Sequence, residues 1–148
     1  APKDIYDNPN NIFVGGFIGT PPMNFIPGQI KDGVFTGEGI SVKVPAERLQ
    51  VIKDNKFEKK DVILGIRPEA IHDERTATPA ISENKVQMTV DVAELLGAET
   101  NIHLKLAGND LVASVKARTD ISIGDSIELS FDMDTVHFFD PETELRLK

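Results

Sequence analysis

The sequence has no cysteine and no tryptophan, and Tyr6 is its only tyrosine. Without cysteine there can be no disulfide, no thiolate zinc site and no cysteine nucleophile. Histidine is scarce as well: His72, His103 and His137 stand far apart, and no H-E-x-x-H zinc helix occurs. A nucleotide's phosphates need a run of backbone N–H groups followed by a lysine, yet the sequence contains no Gly-Lys pair and so no phosphate loop. There is no G-x-S-x-G elbow, and Gly37-x-Gly39 lacks the strand-to-helix setting of a dinucleotide site. Positive charge is in deficit, with 16 Lys+Arg against 24 Asp+Glu and a formal net charge of −8. That balance excludes the basic face that nucleic acid or anionic lipid would require. The apolar runs are too short to span a bilayer, and no charged-then-apolar leader signals secretion. The chain opens on Ala1-Pro2 rather than Met, as expected of a processed chain or of a segment cut from a longer protein.

What is present is the composition of a soluble globular protein, 40% hydrophobic and 27% charged over 148 residues. That length suits one domain or two very small ones sharing a core. Asn8-Pro9 reads as a helix start, with Asn as N-cap and Pro at the first helical position. Ile12, Phe13, Phe17 and Ile18 then share one face. Gly15-Gly16 costs such a helix about 1 kcal/mol per glycine relative to alanine, so close packing or irregularity is expected there. Thr20-Pro21-Pro22 ends the segment. This apolar lead either folds back on the β-rich remainder of the chain or belongs with a preceding domain.

From Asn24 onward the apolar period shortens to two. Phe25-Ile26 opens a strand that Pro27-Gly28 is expected to interrupt, and Lys31-Asp32-Gly33 is the turn of a hairpin. Ile40, Val42 and Val44 alternate with Ser41 and Lys43. Residues 45–53 read as one or two helical turns with Leu49 and Ile52 facing in, ended by Asp54-Asn55. Val62 to Ile66 is an apolar run of strand length, stopped by Arg67-Pro68. Residues 72–84 read as an exposed loop. Alternation returns in Val86, Met88, Val90 and Val92, and again in Ile102, Leu104 and Leu106 with His103 on the outer face. Gly108-Asn109-Asp110 turns the chain into Leu111, Ala113, Val115 and Ala117, a further hairpin. Gly124-Asp125 precedes Ile127, Leu129, Phe131 and Met133, and residues 136–139 lead to a last turn at 140–143. Short strands with frequent turns predict an all-β barrel or sandwich.

The carboxylates Asp73-Glu74 and Glu142 with Glu144 sit in loop-like surroundings and read as exposed solubilising charge. Two segments are less ordinary. In Leu64-Gly65-Ile66-Arg67-Pro68-Glu69, Arg67 and Glu69 flank a proline at the end of a buried strand. They are placed either for a corner ion pair or for contact with another chain. Leu95-Leu96-Gly97-Ala98-Glu99-Thr100 is a glycine-centred turn that reads as a bulge or corner, with a ligand site as the alternative.

These segments also carry a resemblance. Pro2, Ile5-Tyr6, Pro9, Asn11, Phe13-Val14, Phe17-Ile18-Gly19, Pro21 and Met23-Asn24-Phe25 together resemble the start of the regulatory region in ATP-binding subunits of sugar-import ABC transporters of the maltose, multiple-sugar and glycerol-phosphate type. Leu64 to Glu69, Leu96-Gly97-x-Glu99-Thr100, and His137-Phe138-Phe139-Asp140-x-Glu142-Thr143-x-x-Arg146-Leu147 continue it in order along the whole chain. Gly15-Gly16 departs from the more usual Ala-Gly.

The resemblance implies a transport-associated OB (TOBE-type) domain: mainly all-β, two small OB-like barrels sharing strands, with a short N-terminal helical segment. Residues 1–20 would be the tail and linker of an ATPase domain, 21–84 the first OB-like subdomain, and 85–148 the second, its C-terminal strands packing back on the first. It implies no catalysis and no cofactor in this chain, ATP and Mg²⁺ being bound by the upstream domain. The implied partners are a second copy of the same subunit, that ATPase domain, membrane-spanning subunits reached indirectly, and a regulatory protein. The implied location is the cytoplasmic face of the membrane. Arg67, Glu69 and Glu99 are the candidate contacts to the second copy or a regulator. Ile12, Phe13 and Phe17 are the candidate contacts to the ATPase domain. Two competing readings are a free-standing OB module for an oxyanion or oligosaccharide, and a hydrolase built from scattered carboxylates, for which no nucleophile or metal is at hand.

Overall fold

Asp32 and Gly33 both adopt left-handed backbone, with φ of 52° and 77°. This is what a two-residue hairpin turn requires, and it sets the register of the first two strands, Lys31 opposite Val34. The computed structural model describes residues 9–12 and 21–148. Within them lie ten strands: β1 (Asn24–Lys31), β2 (Val34–Gly37), β3 (Ile40–Lys43), β4 (Asp61–Ile66), β5 (Ile71–His72), β6 (Lys85–Leu96), β7 (Glu99–Leu106), β8 (Asn109–Lys116), β9 (Ser126–Phe131) and β10 (His137–Phe139). One α-helix, α1 (Ala46–Asp54), joins β3 to β4. The strands form two antiparallel five-stranded sheets, ordered β10-β4-β1-β2-β3 and β5-β9-β6-β7-β8. The second nearly closes on itself, because β5 also lies against β8. The chain is mainly β and of the OB-fold class.

Sheet membership does not follow chain order. β5 belongs to the first half of the sequence yet pairs with β9. β10 follows β9 yet crosses to the first sheet and pairs with β4. Its three residues are all buried. Phe138 packs on Phe35, ring centroids 6.0 Å apart. Phe139 turns to the opposite face and meets the Phe25 ring edge-on at 5.6 Å. Alternation along a strand thus lets one short segment cover both faces of β4. One apolar core then runs through both sheets, from Ile26, Ile30 and Phe35 to Leu104, Leu111 and Phe131.

Asn24 stitches the sheets together. Its side-chain amide donates to the Ile66 and Val112 carbonyl oxygens at 3.1 and 2.9 Å, and its Oδ1 accepts from the Val112 N–H at 2.7 Å. α1 buries Ile52 and half-buries Leu49, as the spacing predicts. Arg48 fixes the helix to the far end of the chain, donating from Nε to the Val136 carbonyl at 2.7 Å. Beyond β10 a small ribbon forms: Leu147 N–H donates to Phe138 O, Arg146 N–H to Asn10 O, and Ile12 N–H to Glu144 O.

Three expectations change. Pro27-Gly28 does not interrupt the first strand, since β1 runs through both. Pro27 lies where β1 pairs with β4 but ahead of its register with β2, so the missing N–H leaves the β2 ladder intact. Gly28 is required there, because a Cβ would sit 2.5 Å from both the Phe35 ring and the Thr36 carbonyl oxygen. The glycine-centred turn expected at 95–100 is there, Gly97-Ala98 joining β6 to β7, but it is a hairpin turn and the bulge lies earlier, at the register shift between Val90 and Val92. The segment 72–84 is not wholly exposed: Asp73 is 1% exposed, and Asn84 is buried with its Oδ1 accepting from Lys43 N–H. Most of the expected helical lead, including Phe13 and Phe17, lies outside the described residues.

Candidate functional site

Asp73, expected to be a surface charge, is buried, and two arginines explain it. Arg75 donates to its Oδ2 from Nη2 at 2.7 Å and from Nε at 3.0 Å, while the Arg75 backbone N–H reaches Oδ1 at 3.0 Å. Arg118 adds a third side-chain donor at 3.2 Å. Burial pushes the Asp73 carboxyl up, but the hydrogen bonds and charge of Arg75, joined by Arg118, outweigh it and hold the group below its ordinary value. Arg118 also forks onto Asp120 at 2.7 and 2.8 Å and reaches Glu74 at 3.1 Å. The hydrogen bonds from Arg118 draw the Asp120 carboxyl down to about 2. Arg75 continues to the Lys116 and Ala117 carbonyls at 2.6 and 3.3 Å. The network therefore ties the segment after β5 to the end of β8, which makes it a structural clamp. Among the described residues no group of three His, Asp or Glu side chains could hold a metal ion. No helix among them is long and apolar enough to cross a membrane.

A different surface has the character of a contact site. β6 pairs with β9 only over Lys85–Thr89 but with β7 as far as Leu96. The distal half of β6 and the start of β7 thus form an arm with one strand edge uncovered among the described residues. Val92, Leu95 and Leu96 lie exposed on it, the two leucines each more than half so. Adjacent leucines at a strand end must face opposite ways, yet past the end of β9 both are exposed, while Thr100 and Ile102 on the β7 side of the arm stay buried. That break in the alternation is the available sequence signal, and the glycine turn beside it masks it.

The candidate contacts fall in three places. Arg67 ends β4 and is buried, and Glu69 is exposed on the single 3₁₀ turn Pro68–Ala70 that follows it. Glu99 stands exposed at the start of β7, opposite Leu96 on the arm, and accepts from Ser114 Oγ at 3.1 Å. Ile12 is half-buried beside the 140–145 turn.

The two-sheet arrangement with shared strands has counterparts among known proteins. The MalK OB fold domain family matches residues 19–71, and the TOBE domain family matches residues 64–139, about half of the chain. The chain belongs to the TOBE domain family. Its relatives are ATP-binding proteins of ABC transporters. It is 42% identical over 148 residues to the oligosaccharides import ATP-binding protein MsmX of Bacillus subtilis, covering 100% of this chain and 40% of that protein. It is 38% identical over 149 residues to the multiple sugar-binding transport ATP-binding protein MsmK of Streptococcus mutans, again covering 100% of this chain and 40% of the relative. This TOBE chain thus spans about 40% of the length of the curated relatives it matches. Among solved structures, the cytoplasmic molybdate-binding protein ModG superposes with a TM-score of 0.63 at 15% identity, over 80% of this chain and 96% of that one. At that identity the likeness is one of fold.

Proposed function

We propose that this chain is the non-catalytic regulatory and dimerising module of the ATP-binding subunit of an ABC importer for oligosaccharides or related carbohydrates. The observation that supports this reading is the 42% identity to MsmX sustained over the entire chain. In this reading the ATP and Mg²⁺ sites belong to a nucleotide-binding domain elsewhere in the subunit, against which Ile12, Phe13 and Phe17 would pack. The module would sit at the cytoplasmic face of the membrane through the transporter subunits, and Glu69 would face a regulatory protein.

The physical work of such a module is tethering. Holding two ATPase domains near each other raises their effective concentration, so that closure on ATP becomes an intramolecular event. The β6–β7 arm suits a second copy, because an uncovered strand edge flanked by Val92, Leu95 and Leu96 can meet its own image across a two-fold axis. Glu99, beside Leu96, would fix the register at the rim. Sedimentation of the purified chain across micromolar concentrations tests this: a reversible dimer is expected, weakened by Leu96→Lys and shifted by Glu99→Lys. A strict monomer at every concentration would overturn the dimer reading. Saturable ATP hydrolysis by the purified chain would overturn the non-catalytic one.

A further inference from the structure

α1 and the ribbon after β10 enclose a recess that is out of keeping with a chain of net charge −8. The cavity is about 230 Å³ and is lined by Arg48, His137, Arg146 and Lys148, with Val51 and Leu147 among its apolar walls and no carboxylate side chain among the described residues that line it. Arg48 is aimed and immobilised by backbone alone: Nε donates to Val136 O at 2.7 Å and Nη2 to Asp134 O at 3.1 Å. Arg146 is anchored through its main chain, its N–H on Asn10 O at 2.7 Å. Its Nε is buried and has no hydrogen-bond partner among the described residues.

A buried donor left unmade costs about 1–3 kcal/mol, more when charged. Two guanidinium groups facing one cavity add repulsion. Burial, and then the Arg48 charge, lower the Arg146 guanidinium from its ordinary value. Arg75 and Arg118, by contrast, have carboxylate partners. An oxyanion entering the recess would supply the partner that Arg146 Nε lacks among the described residues. Guanidinium forks match the paired oxygens of a phosphate group, and in a partly desolvated site those bonds are charge-assisted. The cavity has room for a phosphate group and a short carbon skeleton.

We propose that this recess is a binding site for a small phosphate monoester, gripped by the Arg146 guanidinium, with Arg48 adding positive charge and Lys148 at its mouth. The site lies apart from the β6–β7 arm and does not depend on the dimer reading.

Calorimetric titration of the chain with inorganic phosphate, glycerol 3-phosphate and glucose 6-phosphate tests it, with glycerol and glucose as uncharged controls. Saturable binding of at least one ester, tighter than inorganic phosphate, is expected, with no heat from the controls. Arg146→Gln should weaken the ester at least tenfold. In phosphate-free buffer the same variant should melt no lower than the wild type, because an unpartnered charge has been removed. Arg146→Lys, which keeps the charge but loses the fork, should bind between the two. Absence of saturable binding, or equal binding by Arg146→Gln, would overturn the site. So would a lower melting temperature of Arg146→Gln without ligand, which would make Arg146 a structural group. Binding of inorganic phosphate with no preference for either ester would overturn the assignment to a monoester and leave an adventitious ion only.

Discussion

Replacing Asp73 by Asn preserves the shape of a buried side chain and removes its charge. Oδ1 can still accept from the Arg75 backbone N–H, but an amide NH₂ would now stand where Oδ2 receives Arg75 Nε, Arg75 Nη2 and Arg118 Nη1. Hydrogen bonds to charged groups contribute about 1.5–3 kcal/mol each. Breaking a buried ion pair from one side costs about 3–5 kcal/mol when the remaining charge is stranded. Here neither arginine is stranded, because Arg118 keeps Asp120 and Glu74, and Arg75 keeps two carbonyl oxygens. The expected loss is therefore about 2–3 kcal/mol, which at about 2–4 °C per kcal/mol lowers the melting temperature by roughly 5–10 °C. The sign of the pH dependence follows from the direction of the shift. Asp73 is held below its unfolded value in the folded chain, so its contribution is complete above about pH 4 and is lost as pH falls through the depressed folded pKa. Asp120, held at about 2, titrates in both proteins. Differential scanning calorimetry of wild type and Asp73→Asn should show a gap that is full at neutral pH and narrows steadily below about pH 4. A neutral-pH gap within about 0.5 kcal/mol, the range of ordinary surface changes, would refute the clamp. A gap that does not change on acidification would refute the electrostatic account of it.

Three other substitutions probe the fold that carries these surfaces. Asn24→Ala should cost about 2–4 kcal/mol in chemical unfolding by leaving the Val112 N–H and the Ile66 and Val112 carbonyls unmade, and hydrogen exchange at Val112 should accelerate. Gly28→Ala forces a methyl to within 2.5 Å of Phe35 and Thr36; about 1–3 kcal/mol of overpacking strain is expected, visible in the urea midpoint. Phe139→Ala removes the ring that closes over Phe25 and Gly65 and should cost about 3–5 kcal/mol in the same assay.

Local rules make much of the first sheet and the central hairpins legible. Asp32-Gly33 announces its turn, and strict alternation over Ile102–Leu106 and Leu111–Val115 places β7 and β8 and their buried faces correctly. α1 is legible from Pro45, Leu49 and Ile52. Two kinds of feature are not. Sheet membership of β5 and β10 depends on pairings such as Ile71 with Phe131 and Leu64 with Phe138, and no local periodicity encodes those. The burial of Asp73 depends on Arg118, far along the chain, so a lone Asp-Glu pair in a polar segment reads as solvated charge. Arg146 lies inside a matched segment of the family resemblance, but its setting depends on Arg48 and α1, which only the fold brings near.

The crossing of β10 into the first sheet has a consequence for synthesis. β4 leaves the ribosome well before the residues that will cover it, and until His137–Phe139 arrive its edge and the ring of Phe25 stay open to other chains. A sheet completed from distant segments closes slowly, since the loop entropy is lost before the contact is made. The nascent chain therefore passes through an interval in which the second sheet has most of its strands while the first is still sticky. Ribosome-bound chains halted just short of Phe139 should aggregate or recruit a chaperone far more than chains extended past Leu147.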